Sequence, residues 1–186
     1  MAVIRVTGNI GSGKTTLCKK LAEFLSYEYH SVGALIREMA TEREQTVEEF
    51  YSWLATEPQM EKEIDMLLEN LMFAKDNLVI DGRMAPFGAC AFQKINILLK
   101  VGCEEGARRC QERPENQNKT IHELIRLNEE REEAEKNRYR KLYGIENHLD
   151  ENRFDIVIDT THLTKAEGQT ELISAVFSFL SLAALN

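Results

Sequence analysis

Residues 2–17 read AVIRVTGNIGSGKTTL, in which a short apolar run leads into glycines at positions 8, 11 and 13 and then into Lys14-Thr15. Glycines at these offsets let the backbone wrap closely around an anion with successive N–H groups turned inward. The segment from Lys14 to Leu25 then repeats apolar residues with the period of a helix that lies on a sheet. A helix N-terminus favours a phosphate through its dipole. The stretch therefore predicts a strand, a phosphate-binding loop and a helix, in that order.

The predicted nucleotide-binding residues are those of this loop: Gly8, Asn9, Ile10, Gly11, Ser12, Gly13, Lys14, Thr15 and Thr16. Lys14 supplies a positive charge for the phosphates, and the Thr15 hydroxyl is an oxygen ligand of the kind that Mg²⁺ accepts. A glycine-rich turn that binds nothing is the alternative, and the position of the loop between a strand and a helix disfavours it. The same loop serves kinases, ATPases, GTPases and nucleotide-gated switches, so it leaves the reaction open.

The composition limits the partners. The chain has 186 residues, which is enough for one domain with inserts, and a formal net charge of −8. No run of five consecutive Lys or Arg residues is present, so a nucleic-acid partner is not expected. A mononucleotide needs only a local group of donors, and the acidic balance does not count against it.

The cysteine spacing and the two ends of the sequence bear on where in the cell the protein is expected. The four cysteines form no C-x-x-C pair, and the first residues lack the charged and apolar regions of a signal peptide. We therefore expect a cytoplasmic, reducing environment. The apolar stretch from Leu172 to Leu185 is shorter than the roughly 20 residues that a membrane span needs. It predicts a final helix packed on the sheet of a monomer, with a dimer through this helix as the alternative.

Strand and helix patterns alternate along the rest of the chain. Apolar runs predict further strands near residues 27–31, 78–80, 95–101 and 154–159. Helical periodicity predicts helices over residues 34–43, 46–56, 57–74, 104–112 and 120–143, and a last one after residue 164. This order predicts an α/β fold with a five-stranded parallel sheet flanked by helices on both faces.

A second candidate site follows the predicted strand at residues 78–80. Asp81-Gly82-Arg83 stands at the carboxyl end of that strand, where ligands of open parallel sheets gather. Arg83 can grip a phosphate through two hydrogen bonds, Asp81 can hold a magnesium-bound water, and Gly82 leaves space for a substrate. A simple turn with a surface arginine is the alternative.

Two arginines on the long charged helix are further candidates. Arg131 and Arg138 are seven residues apart, close to two helical turns, so they project from one face. Arg109 and Arg113 lie beside the polar stretch 113–118, a candidate flap. For each of these arginines the alternative is a solvated helix face with Glu–Arg pairs.

The chain resembles the short cytidylate kinases seen in archaea, members of the nucleoside monophosphate kinases. The segments that carry this resemblance cover nearly the whole chain and are residues 30–40, 78–83, 107–109, 130–145 and 155–161. The resemblance implies a P-loop NTPase fold with a single domain over residues 1–186. It also implies a monophosphate-binding helical insert at about 31–75 and a lid region at about 109–140.

The same resemblance implies roles for individual residues. Ser31, Gly33 and Arg37 would lie in the monophosphate-binding part, with Asp65 as a contact to the base or ribose. Asp81 and Gly82 would line the same site. Arg83 would hold the acceptor phosphate, and Arg109 and Arg113 would belong to the lid over the ATP phosphates. Arg131 and Arg138 would reach the transferring group, so the catalytic set is Lys14, Arg83, Arg109, Arg131 and Arg138.

The implied reaction is transfer of the γ-phosphoryl group from ATP, with Mg²⁺ held by Thr15 and Asp81, to CMP and also to dCMP. Two alternatives stay open. The loop sequence with Asn9-Ile10 is closer to that of deoxynucleoside kinases, in which a carboxylate such as Asp81 would act as the base. A nucleotide-gated binding protein would use ATP only as a switch.

Overall fold

One sheet of five parallel strands forms the centre of the computed structural model, which describes residues 2–183 without the side chain of Glu48. The strands are β1 (Ala2–Gly8), β2 (Glu28–Ser31), β3 (Leu78–Asp81), β4 (Gln93–Lys100) and β5 (Ile156–Asp159). Their spatial order is β2-β3-β1-β4-β5, and every pairing is parallel. All five carboxyl ends therefore meet at one edge. The predicted fold class is confirmed.

Seven α-helices connect or flank these strands in the part of the chain that the structure describes. They are α1 (Lys14–Leu25), α2 (Val32–Glu42), α3 (Val47–Leu54), α4 (Pro58–Ala74), α5 (Cys103–Gln111), α6 (Ile121–Tyr143) and α7 (Lys165–Ala183). Short 3₁₀ helices lie at Ala85–Phe87, Pro114–Asn116 and Glu151–Arg153. Three helices, α2 to α4, lie between β2 and β3, over the segment implied as the acceptor insert.

Local sequence explains several helix ends. Thr46 forms a capping box at the start of α3, and Thr120 forms a second one before α6, each with a Glu three residues later. Helix α2 begins two residues earlier than predicted because Ser31 acts as its N-cap and accepts a hydrogen bond from the Ala34 N–H. Helix α6 ends at Gly144, which adopts a left-handed conformation with φ 67°.

Both faces of the sheet are covered. On one face Ile4 and Val6 of β1 pack with α1 and α7, and on the other face Val3 packs with α4 and the segment after β3. This alternation along β1 is the pattern of a strand that is buried on both sides. A third cluster joins α2, α3 and α4 around Phe50 and keeps that helical segment together.

Helix α7 is the predicted final helix. Its residues Leu172 and Val176 are fully buried in the core beside α1, whereas Phe177 and Leu182 are more than half exposed. Residue Leu185, the end of the predicted stretch, lies outside the described residues. No helix within residues 2–183 is long and apolar enough to cross a membrane. A dimer through this helix stays a prediction.

Candidate active site

The phosphate-binding loop lies at the centre of the carboxyl edge, between β1 and α1. Gly11 and Gly13 adopt left-handed conformations with φ 84° and 82°, which glycine adopts without strain. A Cβ atom at Gly11 would come within 2.4 Å of the Gly106 carbonyl oxygen on α5, so the loop is also packed too tightly there for a side chain. The loop therefore has the glycines it needs for both conformation and space.

Replacing Gly11 by Ala should deform this loop. Left-handed strain costs about 1–2 kcal/mol, and the contact with the backbone of Gly106 forces a further shift. We expect ATP affinity to fall about tenfold or more, since the N–H groups would no longer converge on one point. Gly144→Ala is the matched control, because Gly144 has φ 67° but no atom within 4 Å of a new Cβ. Equal ATP affinities of the two variants, measured by calorimetry, would contradict this account of the loop.

Asn9 fastens the loop to the end of β4. Its amide nitrogen donates to the Val101 carbonyl oxygen at 2.7 Å, and its amide oxygen accepts from the Val101 N–H at 3.0 Å. The Asn9 side chain thus pairs with both backbone groups of Val101, as a neighbouring strand would. The next residue, Ile10, donates its backbone N–H to the carboxylate of Glu132 on α6 at 2.8 Å.

Lys14 lies across the loop with its ammonium bound to oxygens of the loop itself. It donates to the carbonyl oxygens of Gly8 at 2.7 Å and Asn9 at 2.9 Å, and it lies 3.4 Å from the Ser12 hydroxyl. Burial lowers its pKa to about 7, and the neighbouring charge of Arg83 acts in the same direction. An anion in the loop would favour the protonated form of this group.

Thr15 and Asp81 meet beside the loop. The Thr15 hydroxyl donates to Asp81 Oδ2 at 2.9 Å, and the Tyr29 hydroxyl donates to the same oxygen at 3.1 Å. In the sheet, Val6 near the end of β1 lies opposite Asp81 at the end of β3. Asp81 therefore lies beside the loop that follows β1 and beside Thr15 at the start of α1. Thr16 follows on α1 and is exposed.

Two of the predicted arginines, Arg83 and Arg131, contact one buried carboxylate, that of Glu135 on α6. Arg83 Nε lies 2.7 Å from Glu135 Oε2, and Arg131 Nε lies 3.2 Å from Glu135 Oε1. Arg83 also donates from Nη1 to the Gly8 carbonyl oxygen at 2.7 Å, which joins this cluster to the loop. Burial opposes ionisation of Glu135, but the charges of Arg83, Arg131 and Arg138 hold its pKa below the usual range.

Arg138 has a partner on a different helix. Its Nε lies 2.8 Å from Glu61 Oε1 on α4, and its Nη2 lies 3.4 Å from the Tyr139 hydroxyl. Burial raises the pKa of Glu61, while the charge of Arg138 lowers it. Arg138 is therefore held by a carboxylate on another helix. Arg131, whose side chain is 44% exposed, pairs with Glu135 along α6, which is the kind of Glu–Arg pair expected on a charged helix face.

The structure places Arg109 and Arg113 away from this cluster. Arg109 lies on α5 and donates to the backbone carbonyl oxygens of Thr160 at 2.6 Å and Leu163 at 3.3 Å, with Glu105 on its Nε. It also approaches the Gly11 carbonyl oxygen at 3.4 Å, so it ties the loop to the segment after β5. Arg113 precedes a 3₁₀ helix and is exposed. Catalytic roles for both stay predictions.

The residues implied for acceptor binding lie around α2 and α4. Arg37 is exposed on α2, and its Nη1 would lie 3.5 Å from a Cβ at Gly33. Ser31 caps this helix. A Cβ at Gly82 would come within 2.4 Å of the Val32 side chain, so only glycine fits between β3 and α2. Asp65 lies farther along, on α4.

Asp65 lines a cavity of about 280 Å³ between α4, the segment after β3 and the end of α6. Tyr143 donates to Asp65 Oδ2 at 2.5 Å, and burial raises the pKa of this carboxyl group. The other lining residues are Leu68, Glu69, Met72, Met84, Ala85, Phe87, Gly88 and Ile145. Arg5, buried in β1, donates to the Gly88 carbonyl oxygen at 2.6 Å and so fixes one wall.

Sequence reasoning missed four residues of this region. Glu135 and Glu132 looked like ordinary members of a charged helix, and Glu61 like a member of another, because the sequence holds no signal of which carboxylates are buried. His148 was also missed. It is 2% exposed, it packs edge-on against Tyr139, and neither ring nitrogen has a partner in the described part of the chain. Burial, together with the charge of Arg83, lowers its pKa to about 4, so it is neutral at pH 7.

Comparison with known proteins places the chain among similar sequences and folds. Residues 4–141 match a family model described as an AAA domain. The chain is 35% identical over 164 residues to a cytidylate kinase of Pyrobaculum neutrophilum, and this alignment covers 88% of this chain and 86% of that protein. It is 35% identical over 180 residues to a cytidylate kinase of Pyrococcus furiosus, which covers 96% of this chain and 89% of that protein.

Solved structures share the fold at lower identity. A shikimate kinase from Bacteroides thetaiotaomicron superposes with a TM-score of 0.57 at 21% identity and covers 97% of this chain and 98% of that one. A gluconokinase from Sinorhizobium meliloti superposes with a TM-score of 0.54 at 16% identity, over 99% of this chain and 96% of that one. At these identities the likeness supports the fold and not the substrate.

Proposed function

The chain belongs to the family of the cytidylate kinases, and on this premise we propose that it transfers the γ-phosphoryl group of ATP to CMP, giving ADP and CDP. One observation in the structure carries the proposal beyond the family name. A second group of positive charges, centred on Arg83, lies directly beside the phosphate-binding loop and contacts it at Gly8. A protein that only binds ATP needs no second phosphate site, whereas a kinase with a phosphorylated acceptor does.

The loop would hold the donor phosphates. Backbone N–H groups at the start of α1 and the ammonium of Lys14 would neutralise the β- and γ-phosphates, as positioning and charge neutralisation dominate phosphoryl transfer. To bind them, Lys14 would exchange its loop carbonyl oxygens for phosphate oxygens. The carboxylate of Glu132 would likewise leave the Ile10 N–H.

Magnesium fits beside the loop. Thr15 and Asp81 present a hydroxyl and a carboxylate that are already within 2.9 Å of each other, and Mg²⁺ prefers such oxygen donors together with waters and phosphates. No group of three or more His, Cys, Asp or Glu side chains in residues 2–183 forms a metal cage of its own, which agrees with an ion held mainly by its nucleotide. The ion would supply charge neutralisation at the transferring phosphoryl group.

The acceptor would lie between the insert over about 31–75 and the core. Ser31, Gly33 and Arg37 would line the approach of its phosphate, and Arg83 would hold the phosphate. Gly82 would contribute by letting Val32 of α2 pack closely against the end of β3, since the space beside it is filled by that side chain. The cavity beside Asp65 has a size and a mixed lining suited to a pyrimidine nucleoside, and dCMP would bind in the same way. Arg131 and Arg138 would reach the transferring group when the lid closes and excludes water.

The acceptor phosphate is already an anion, so no general base is needed. Asp81 accepts hydrogen bonds from both Thr15 and Tyr29, which suits a metal-holding carboxylate better than the free base that a nucleoside kinase needs. The structure thus gives no support to the deoxynucleoside kinase alternative. Nor does a nucleotide-gated switch explain the arginines around Glu135.

Product analysis tests the proposal. When ATP and CMP are supplied in equal amounts, the protein should form ADP and CDP. Phosphorus NMR of the mixture would measure all four nucleotides over time. A protein that only hydrolyses ATP would release inorganic phosphate with CMP unchanged, and a switch would bind ATP without product. Either result would refute the proposed function.

A further inference from the structure

Two contacts join helix α4 to helix α6. Glu61 on α4 forms an ion pair with Arg138 on α6, in which Oε1 and Nε are 2.8 Å apart. One turn later on α4, Asp65 Oδ2 accepts a hydrogen bond from the Tyr143 hydroxyl at 2.5 Å. Both carboxylates face inward, and the Glu61 side chain is only 8% exposed. Helix α4 belongs to the proposed acceptor insert, and α6 belongs to the proposed lid. The two contacts therefore connect the part that would bind CMP to the part that would complete the donor site.

Arg138 is held differently from its neighbour Arg131. The carboxylate partner of Arg131 is Glu135, four residues farther along the same helix, so this ion pair moves with α6 as a unit. The Arg131 guanidinium also lies 4.9 Å from the centre of the Tyr51 ring on α3. The partner of Arg138 lies on another helix and holds it only while α4 and α6 keep their present positions. Arg138 forms an ion pair with Glu61 through Nε, and its Nη2 donates a hydrogen bond to the Tyr139 hydroxyl at 3.4 Å.

The cavity lies along this contact between the helices. Asp65, Leu68 and Met72 of α4 form one wall, and Tyr143 of α6 forms another. Asp65 and Tyr143 both line the cavity, so a nucleoside that fills it would contact the hydrogen bond between them. Displacing this bond would also shift the Glu61–Arg138 pair, which lies one helical turn away on α4.

We propose that Glu61 is a positioning residue that keeps Arg138 from the transferring phosphoryl group until CMP occupies the cavity. The inference rests on the proposed function and adds a reason why ATP would be preserved when no acceptor is bound. The reaction that Glu61 would suppress is hydrolysis of ATP. In that reaction a water oxygen bonds to the γ-phosphorus as the bond to the β–γ bridging oxygen breaks, giving ADP, inorganic phosphate and a proton.

ATP hydrolysis without CMP tests the inference in Glu61→Gln. The amide keeps the shape of the side chain but removes the charge that holds Arg138. An arginine that reaches the transferring group accelerates phosphoryl transfer by about 10³–10⁵, so partial release of Arg138 should raise hydrolysis about tenfold or more. The ratio of hydrolysis to CDP formation should rise with it. A purely structural role would lower both rates together and leave their ratio unchanged.

Glu63→Gln is the matched control. Glu63 lies on the same helix, is exposed, and accepts a weak hydrogen bond from the Gln59 amide at 3.4 Å, so the same loss of charge should leave the ratio unchanged. Glu61→Asp is the second variant, because it keeps the charge and withdraws the carboxylate by one methylene. Glu61→Asp should raise ATP hydrolysis by less than Glu61→Gln. If Glu61→Gln does not fold, the rate of hydrolysis by Glu61→Asp tests the proposal instead.

The outcomes separate the inference from the function on which it rests. Hydrolysis at the wild-type level in a folded Glu61→Gln or Glu61→Asp protein that still makes CDP would overturn the role of Glu61 alone. Absence of CDP formation by the wild-type protein would overturn the proposed function and the inference with it. Raised hydrolysis in both Glu61 variants, with Glu63→Gln unchanged, is the result that the structure predicts.

Discussion

Lys14→Met should lower kcat for CDP formation by about 10³ or more while the protein stays folded. A single preorganised donor aimed at developing charge is worth about 10²–10³ in kcat, and Lys14 carries a full charge in addition. Methionine has a similar length and fills irregular space, so the loop should keep its packing. Single-turnover kinetics with saturating ATP and CMP measures the effect directly.

Lys20→Met on the same helix is the control for this variant. Lys20 is about half exposed and pairs with Glu23 along the helix surface, an arrangement worth about 0–1 kcal/mol, so kcat should not change. A loss of kcat in Lys14→Met that is no larger than in Lys20→Met would show that the loop is not the donor site.

The pKa of Lys14 adds a dependence on pH to the same test. In the free protein burial lowers this pKa to about 7, and the phosphates of ATP would favour the charged form and raise it. ATP binding should therefore take up a proton, and affinity should weaken as pH rises above about 7. Calorimetry in buffers of different ionisation enthalpy would measure the uptake, which should be absent in Lys14→Met.

Arg83→Ala should raise the KM for CMP tenfold to a hundredfold, with a much smaller change in ATP affinity. Hydrogen bonds to charged groups are each worth about 1.5–3 kcal/mol, and Arg83 would make such bonds to the acceptor phosphate. The substitution also removes one of the two arginines that neutralise Glu135, so the free energy of unfolding should fall. Steady-state kinetics and thermal unfolding separate these two effects.

The control for Arg83→Ala is Arg126→Ala, whose side chain is 68% exposed and pairs along the helix surface with Glu130. That variant should leave the KM for CMP and the unfolding temperature almost unchanged. An unchanged KM for CMP in Arg83→Ala would refute the role of Arg83 in holding the acceptor.

The sequence predicts the fold well because its signals are local. The glycines of the loop, the capping box at Thr46 and the apolar runs each constrain a few neighbouring residues, and the alternation of strands with helices predicts a parallel sheet. The order of the strands in that sheet depends on long-range packing and is not predicted by these signals. The structure departs from these predictions only by a few residues at the ends of helices and strands.

The contacts of the candidate site are harder to predict, because they join distant residues. Glu61 and Arg138 are 77 positions apart along the chain. Their pairing depends on where α4 and α6 meet. The i,i+4 pair of Arg109 with Glu105 could be read from spacing, but its contacts with Thr160 and Leu163 could not.

Asn9 shows how a local difference can be misread. Asn9-Ile10 in the loop suggests deoxynucleoside kinases, which raises the question of a different acceptor. In the structure the Asn9 amide pairs with the backbone of Val101, so this residue serves to anchor the loop to β4. The structure thus gives Asn9 a role in positioning the loop, while the similarity to the cytidylate kinases is what disfavours the deoxynucleoside kinase alternative.

The acceptor substrate distinguishes a monophosphate kinase from a nucleoside kinase. ADP release should be measured with CMP, dCMP, UMP, AMP and deoxycytidine, each at several concentrations with ATP and Mg²⁺ in excess. We expect the highest kcat/KM with CMP, turnover with dCMP, and none with deoxycytidine, which lacks the phosphate that Arg83 would hold. Turnover with deoxycytidine but not with CMP would contradict the assignment of a monophosphate acceptor.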